Sequence, residues 1–186
     1  MNKILFINAC LRSESRTLKL AKSIIKSTGG LVKTVNLYEE DIRPLSKVNL
    51  SLRDKAVASN DFSDNYFCYA KEFREADEII IAAPYWDLSF PAVLKQYIEH
   101  INVLGITFEY SPEGIPIGLC KAKKLYYVMT AGGTYVPEEF GFGYIKALAQ
   151  NFYGIKDVEL IKATGLDIQG NDEEGIINNC VSNLQK

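Results

Sequence analysis

The sequence predicts a single doubly wound α/β domain: a five-stranded parallel sheet in the order 2-1-3-4-5, with helices on both faces. Three observations predict it. Five short apolar runs are bounded by turn residues, and amphipathic helical periods lie between them. The 186 residues also suit one domain, able to bury roughly 70% of its unfolded surface.

The strands are read at 3–7, 31–37, 78–83, 125–130 and 158–164. Ile79-Ile80-Ile81-Ala82-Ala83 has no polar alternation, as expected of a parallel strand covered on both faces. Leu18, Ala21, Ile24 and Ile25 form one helical stripe, and Leu94, Tyr97, Ile98, Ile101 and Leu104 another. Pro91, as a first-turn proline, sets the entry of that second helix. Further helices are expected over about 138–152 and about 172–184. Strict alternation, short connections and right-handed crossovers leave few topologies besides the order given. Segment 38–73 is too long for a connector and reads as a loop plus helix. Its Tyr66, Phe67 and Tyr69 stand in a polar setting, as the lining of a pocket or partner surface would. No repeat or linker divides the chain, so 1–186 is taken as one domain.

Composition points to small-molecule chemistry. Hydrophobic residues make up 47% and charged residues 24%, and a net charge of -2 leaves no basic run for nucleic acid or anionic lipid. Cys10, Cys68, Cys120 and Cys180 form no C-x-x-C pair and have one histidine between them, which argues against a zinc or thioredoxin-type site. The apolar run at 4–7 is too brief for a signal peptide or membrane span, and with unpaired thiols the expected compartment is the cytoplasm.

In an open α/β sheet the ligand site lies beyond the carboxyl ends of the strands, so the loops after strands one, three and four matter most. The first, Asn8 to Thr17, leads hydroxyls into a helix N-terminus, where free N–H groups and the dipole favour a phosphate. Ser15 there either caps the helix or also serves the phosphate, with Arg12 or Arg16 adding charge-assisted bonds. Neither G-x-G-x-x-G nor G-x-x-x-x-G-K-[ST] is present, which disfavours a dinucleotide fingerprint or a P-loop and leaves a monophosphate. The second loop, Pro84-Tyr85-Trp86-Asp87-Leu88, sets two aromatics at the sheet edge, either as a wall for a flat ligand or as core. The third, Thr130-Ala131-Gly132-Gly133, brings backbone close to a ligand or makes an ordinary turn. Their convergence on one crevice suits FMN.

Three segments then carry a resemblance. Ala83-Pro84-Tyr85-Trp86-Asp87-Leu88-Ser89-Phe90-Pro91 with the helix after it, Gly105-Ile106-Thr107-Phe108-Glu109-Tyr110, and the Gly-Gly loop resemble the flavodoxin-like FMN-dependent NAD(P)H azoreductase and quinone reductase family, over nearly the whole chain. The resemblance implies a homodimer with FMN at the interface and residues 107–110 near it. Cys10, Ser15, Arg16 and Thr17 would serve the phosphate; Pro84, Tyr85, Trp86, Asp87 and Leu88 would line the flavin; Thr130, Ala131, Gly132 and Gly133 would follow its edge. Tyr85, Trp86, Tyr66, Phe108 and Tyr110 would meet a flat quinone or azo acceptor. Family members often carry Asn at Asp87 and Arg at Ala131. An ionised Asp87 beside the flavin would lower its potential; alternatively Asp87 caps a turn toward solvent.

Hydride transfer from NADH or NADPH to the acceptor is expected to be ping-pong, with no catalytic side chain and no metal, because the flavin itself carries the hydride. His100 is expected at the surface or an interface, outside the chemistry. Near-neutral charge and the Thr-Phe-x-Tyr segment argue against an FMN electron carrier; a non-flavin module on the same fold would take up no FMN.

Overall fold

The computed structural model describes residues 1–183. Its main sheet joins β1 (Lys3–Asn8), β2 (Leu31–Asn36), β3 (Glu78–Ala82), β6 (Lys124–Thr130) and β7 (Asp157–Ala163) in the order β2-β1-β3-β6-β7. Every neighbouring pair is parallel, so the sheet has the expected 2-1-3-4-5 order. Successive residues of β1 and β3 point to opposite faces, and both faces are covered. Leu5, Ile7, Ile79 and Ile81 pack under α3 (Cys68–Glu75), α4 (Ala92–Ile101) and α5 (Phe142–Leu148). Ile4, Phe6, Ile80 and Ala82 pack under α1 (Arg16–Thr28) and α6 (Glu173–Asn183). Such two-sided burial is why these strands lack polar alternation. Leu20 and Ile24 of α1 are almost fully buried, each worth about 1.5–3 kcal/mol.

The departures from the expected elements have local causes. Helix α4 stops at Ile101 because buried Thr107 donates its hydroxyl to the Ile101 carbonyl at 2.7 Å, so Leu104 leaves the helical stripe and bridges Phe108. Pro91 sits one residue earlier than expected, as the N-cap of α4. The helix expected from 138 begins at Phe142, since the Glu138 carbonyl accepts the N–H groups of Gly141 (3.3 Å) and Gly143 (2.7 Å). It continues as a π turn, Ala149–Tyr153, which brings Phe152 to 4.9 Å from Phe108. The last helix ends among the described residues at Asn183, and the expected position 184 lies outside them.

Segment 38–73 holds two helices rather than one: α2 (Lys47–Ser59), opened by a Ser46–Asn49 capping box, and α3, preceded by a 3-10 turn at Asn65–Phe67. Helix α2 gave no readable stripe because it buries only Ala56, while Val48, Leu50 and Val57 face solvent. Phe67 is fully buried, not in a polar setting, in a small cluster with Ala56, Ala70, Val103 and Ile106. An antiparallel pair, β4 (Phe108–Tyr110) with β5 (Pro116–Gly118), adds an unexpected hairpin too short to show a period. His100 is buried, not superficial, with Nε2 2.8 Å from the Arg43 carbonyl. No described helix is long and apolar enough to cross a membrane.

Candidate flavin crevice

Three backbone bonds carry the sheet past the strand ends. The N–H groups of Ala9, Ala83 and Tyr85 donate to the carbonyls of Ala82 (2.8 Å), Val128 (3.0 Å) and Thr130 (3.1 Å). Loops after β1, β3 and β6 therefore leave from one rigid edge and enclose a cavity of about 250 Å³. Arg12, Ser15, Arg16, Thr17, Pro84, Tyr85, Trp86, Thr130 and Gly132 all line it, together with Leu11, Glu14 and Asp167.

At one end is the start of α1. Ser15 is its N-cap and accepts from the Leu18 N–H at 3.3 Å, while the N–H groups of Arg16 and Thr17, in the first turn, have no intrahelical acceptor. Thr17, fully buried, shares a 2.7 Å hydroxyl pair with Thr130, which locks the first loop to the third. Arg16 does not offer a free cation. Its Nη1 bonds Asp167 at 2.8 Å and Glu173 at 3.2 Å, tying α1 to the loop after β7 and to α6. The contact with Asp167 raises the guanidinium pKa further and holds the Asp167 carboxyl below its ordinary range. Arg12 is exposed at the same rim.

The other wall is a strained hairpin turn. Trp86 N–H donates to the Ser89 carbonyl (3.1 Å) and Ser89 N–H to that of Trp86 (2.8 Å), and the two residues between have positive φ: Asp87 at 51° and Leu88 at 65°. Such turns normally take Asn-Gly, and each non-glycine residue there costs about 1–2 kcal/mol. Two bonds anchor this wall to the 131–141 loop: Tyr85 OH donates to Pro137 O at 3.2 Å and Ser89 Oγ to Phe140 O at 2.6 Å. Burial, with Tyr135 and Glu139 nearby, pushes the Tyr85 phenol up, so it stays protonated. Trp86 also lines a neighbouring groove of about 670 Å³ with Tyr38, Asp87 and Gln96.

Several expected residues lie elsewhere. Asp87 and Leu88 are exposed at the turn tip and neither lines the crevice; Asp87 lines the second groove. Ala131 packs into the core, and Gly133 is exposed outside the cavity. Buried Cys10 donates weakly to the Ala82 carbonyl, and burial pushes its thiol up despite Ser15, so it is a neutral thiol at pH 7. Tyr66 is removed from the crevice: Arg53 Nε donates to its hydroxyl at 3.0 Å, and its ring packs on His100. Phe108 is buried against Phe152, and Tyr110 is exposed on the hairpin; neither lines the cavity of its own chain. Sequence reasoning missed Asp167, although the loop after the fifth strand reaches the same edge. A Cβ on Gly132 would overlap the Asp167 carboxylate as it stands, so the two are in close approach.

This arrangement has known relatives. The flavodoxin-like fold family matches residues 2–186. An FMN-dependent NADH:quinone oxidoreductase of Clostridium perfringens is 38% identical, over 95% of this chain and 93% of its own. One from Clostridium acetobutylicum is 37% identical, over 100% and 98%. An azoreductase structure from Bacillus anthracis superposes with a TM-score of 0.84 at 27% identity, covering 98% of this chain and 96% of that one. The chain therefore belongs to the flavodoxin-like FMN-dependent NADH:quinone oxidoreductase family.

Proposed function

We propose that the crevice binds FMN and that the protein passes hydride from NADH to a quinone or azo acceptor. The observation that carries this reading is the convergence of a capped helix start, an aromatic wall and a close backbone rim on one cavity at the sheet's carboxyl edge. Ser15 and the N–H groups of Arg16 and Thr17 would hold the phosphate. Pro84, Tyr85 and Trp86 would flank the ring, with Thr130 and Gly132 along its edge. FMN, when bound, supplies both hydride acceptance and hydride donation. The chain's own task is then positional: Tyr85 and Ser89 pin the wall, and the Thr17–Thr130 pair keeps the two loops in register.

Donor and acceptor would alternate at one crevice, which gives ping-pong kinetics. A homodimer is part of this reading, because Leu11, Trp86, Leu88, Tyr135 and Phe140 leave apolar surface exposed on these loops and Tyr110 presents more on the hairpin. Four free cysteines support a cytoplasmic setting. Asp87 is exposed at the turn tip outside the crevice, so Asp87→Asn is expected to leave the flavin potential nearly unchanged, measured by dye equilibration. The deciding experiment is anaerobic stopped flow. NADH is expected to bleach the bound flavin and a benzoquinone to restore its colour; no bleaching by either nicotinamide nucleotide would overturn the proposal.

A further inference from the structure

Beside the first loop, on the α1 side of β2, runs a groove of about 480 Å³. It shares Leu11 and Arg12 with the flavin crevice, so the two lie on either side of the same loop. Its inner part is apolar, with Phe6, Leu18, Ile25 and Val32 as walls and floor. The outer end is polar and ordered. Cys10 N–H donates to Asn8 Oδ1, Asn8 Nδ2 to Asn36 Oδ1, and Asn36 Nδ2 to Glu39 Oε2, each at 3.0 Å. The Glu39 N–H closes a turn on the Asn36 carbonyl at 2.8 Å. Every amide in this relay donates outward, and the relay ends on one carboxylate oxygen of Glu39. The other oxygen has no protein donor among the described residues.

A surface carboxylate oriented by a half-buried amide, itself held by buried Asn8, is a preorganised acceptor. Its position matters too, because the turn after the second strand is where dinucleotide-binding α/β sheets carry the acidic residue that accepts a ribose 2′-hydroxyl. An apolar floor for a purine, an oriented carboxylate for a diol, and Arg12 between groove and crevice for a pyrophosphate together match the adenosine diphosphate half of a nicotinamide nucleotide. The loop after β1 supplies no glycine fingerprint, so the pyrophosphate would be met by Arg12 rather than by the start of α1.

We infer that this groove binds the adenosine half of the electron donor and that Glu39 selects NADH over NADPH. The inference rests on the function proposed above for the crevice. A 2′-phosphate would set about two negative charges against Glu39 and remove the donor that its free oxygen accepts. Lys22 on the α1 wall and Arg12 on the loop are the cations that line the groove.

Two measurements test it on the FMN-loaded protein. Calorimetric titration with ADP-ribose, which cannot transfer hydride, should show binding that Glu39→Gln weakens about tenfold while FMN content is unchanged. In steady state, Glu39→Gln should raise the KM for NADH at nearly constant kcat and lower the NADH-over-NADPH preference about tenfold; Glu39→Arg should reverse the preference. Glu39 is exposed, so neither variant threatens the fold. No ADP-ribose binding to the wild type, or equal binding and an unchanged preference in both variants, would overturn the inference. Failure of NADH to bleach the flavin would instead overturn the proposed activity, and the ADP-ribose titration would still report on the groove.

Discussion

The two ends of the flavin crevice are built by opposite means. At the α1 end everything is conventional: a serine cap, free first-turn N–H groups, a buried hydroxyl pair and an arginine closed onto two carboxylates. At the Trp86 end a two-residue turn holds Asp87 and Leu88 at positive φ without a glycine, and exposes three of its four residues. Conformational strain is retained where surrounding bonds over-determine it, and here those bonds come from Trp86, Ser89 and the 131–141 loop. The helix end is held by its own cap and by long-range side-chain bonds, with no strained backbone. The aromatic wall keeps its shape only through its neighbours.

That contrast can be broken at several points. The largest effect is expected at the hydroxyl pair: Thr17→Val leaves the buried Thr130 hydroxyl unpartnered and should cost about 2 kcal/mol in urea unfolding. Replacing both threonines by valine should recover part of that loss, because no unpaired donor remains. Ser15→Asp comes next, since aspartate caps a helix as well as serine does but sets a negative charge beside the phosphate. Stability should hold while FMN affinity, followed by fluorescence titration, falls about tenfold, or 1.4 kcal/mol.

Leu88→Gly should also weaken FMN retention, but with a gain of about 0.5–1 kcal/mol in thermal unfolding from relieving the turn. The smallest effect concerns pH. Arg16 depresses the folded-state pKa of Asp167 below its unfolded value, so the pair's contribution is present above the unfolded pKa and is lost as pH falls through the folded one. With Asp167 66% exposed, Asp167→Asn should cost only about a few tenths of a kcal/mol at pH 6–8, and the difference should close below about pH 4.

The parts of the fold legible in the sequence were those where one residue type repeats at a fixed period. Ile79 to Ile81 announced a doubly covered strand, and Leu18 to Ile25 a buried helix face. Helix α2 was missed because it buries a single alanine, and the β4–β5 hairpin because three-residue strands carry no period. Tyr66 was misassigned for a related reason: an aromatic in a long connector looks available until Arg53 and His100 are seen to hold it.

Local patterning alone determined the strand order, the crevice edge, and the helix start with its serine cap, since each rests on contacts within a few residues or on the chirality of crossovers. Tertiary structure alone decided which loop residues face the ligand. Arg16 is committed to Asp167, 151 residues away, Ala131 turns into the core while Gly132 stays at the rim, and Glu39 is oriented through Asn8 and Asn36 on two different strands. Partners so distant in sequence leave no periodic mark, because what joins them is packing across the sheet rather than spacing along the chain.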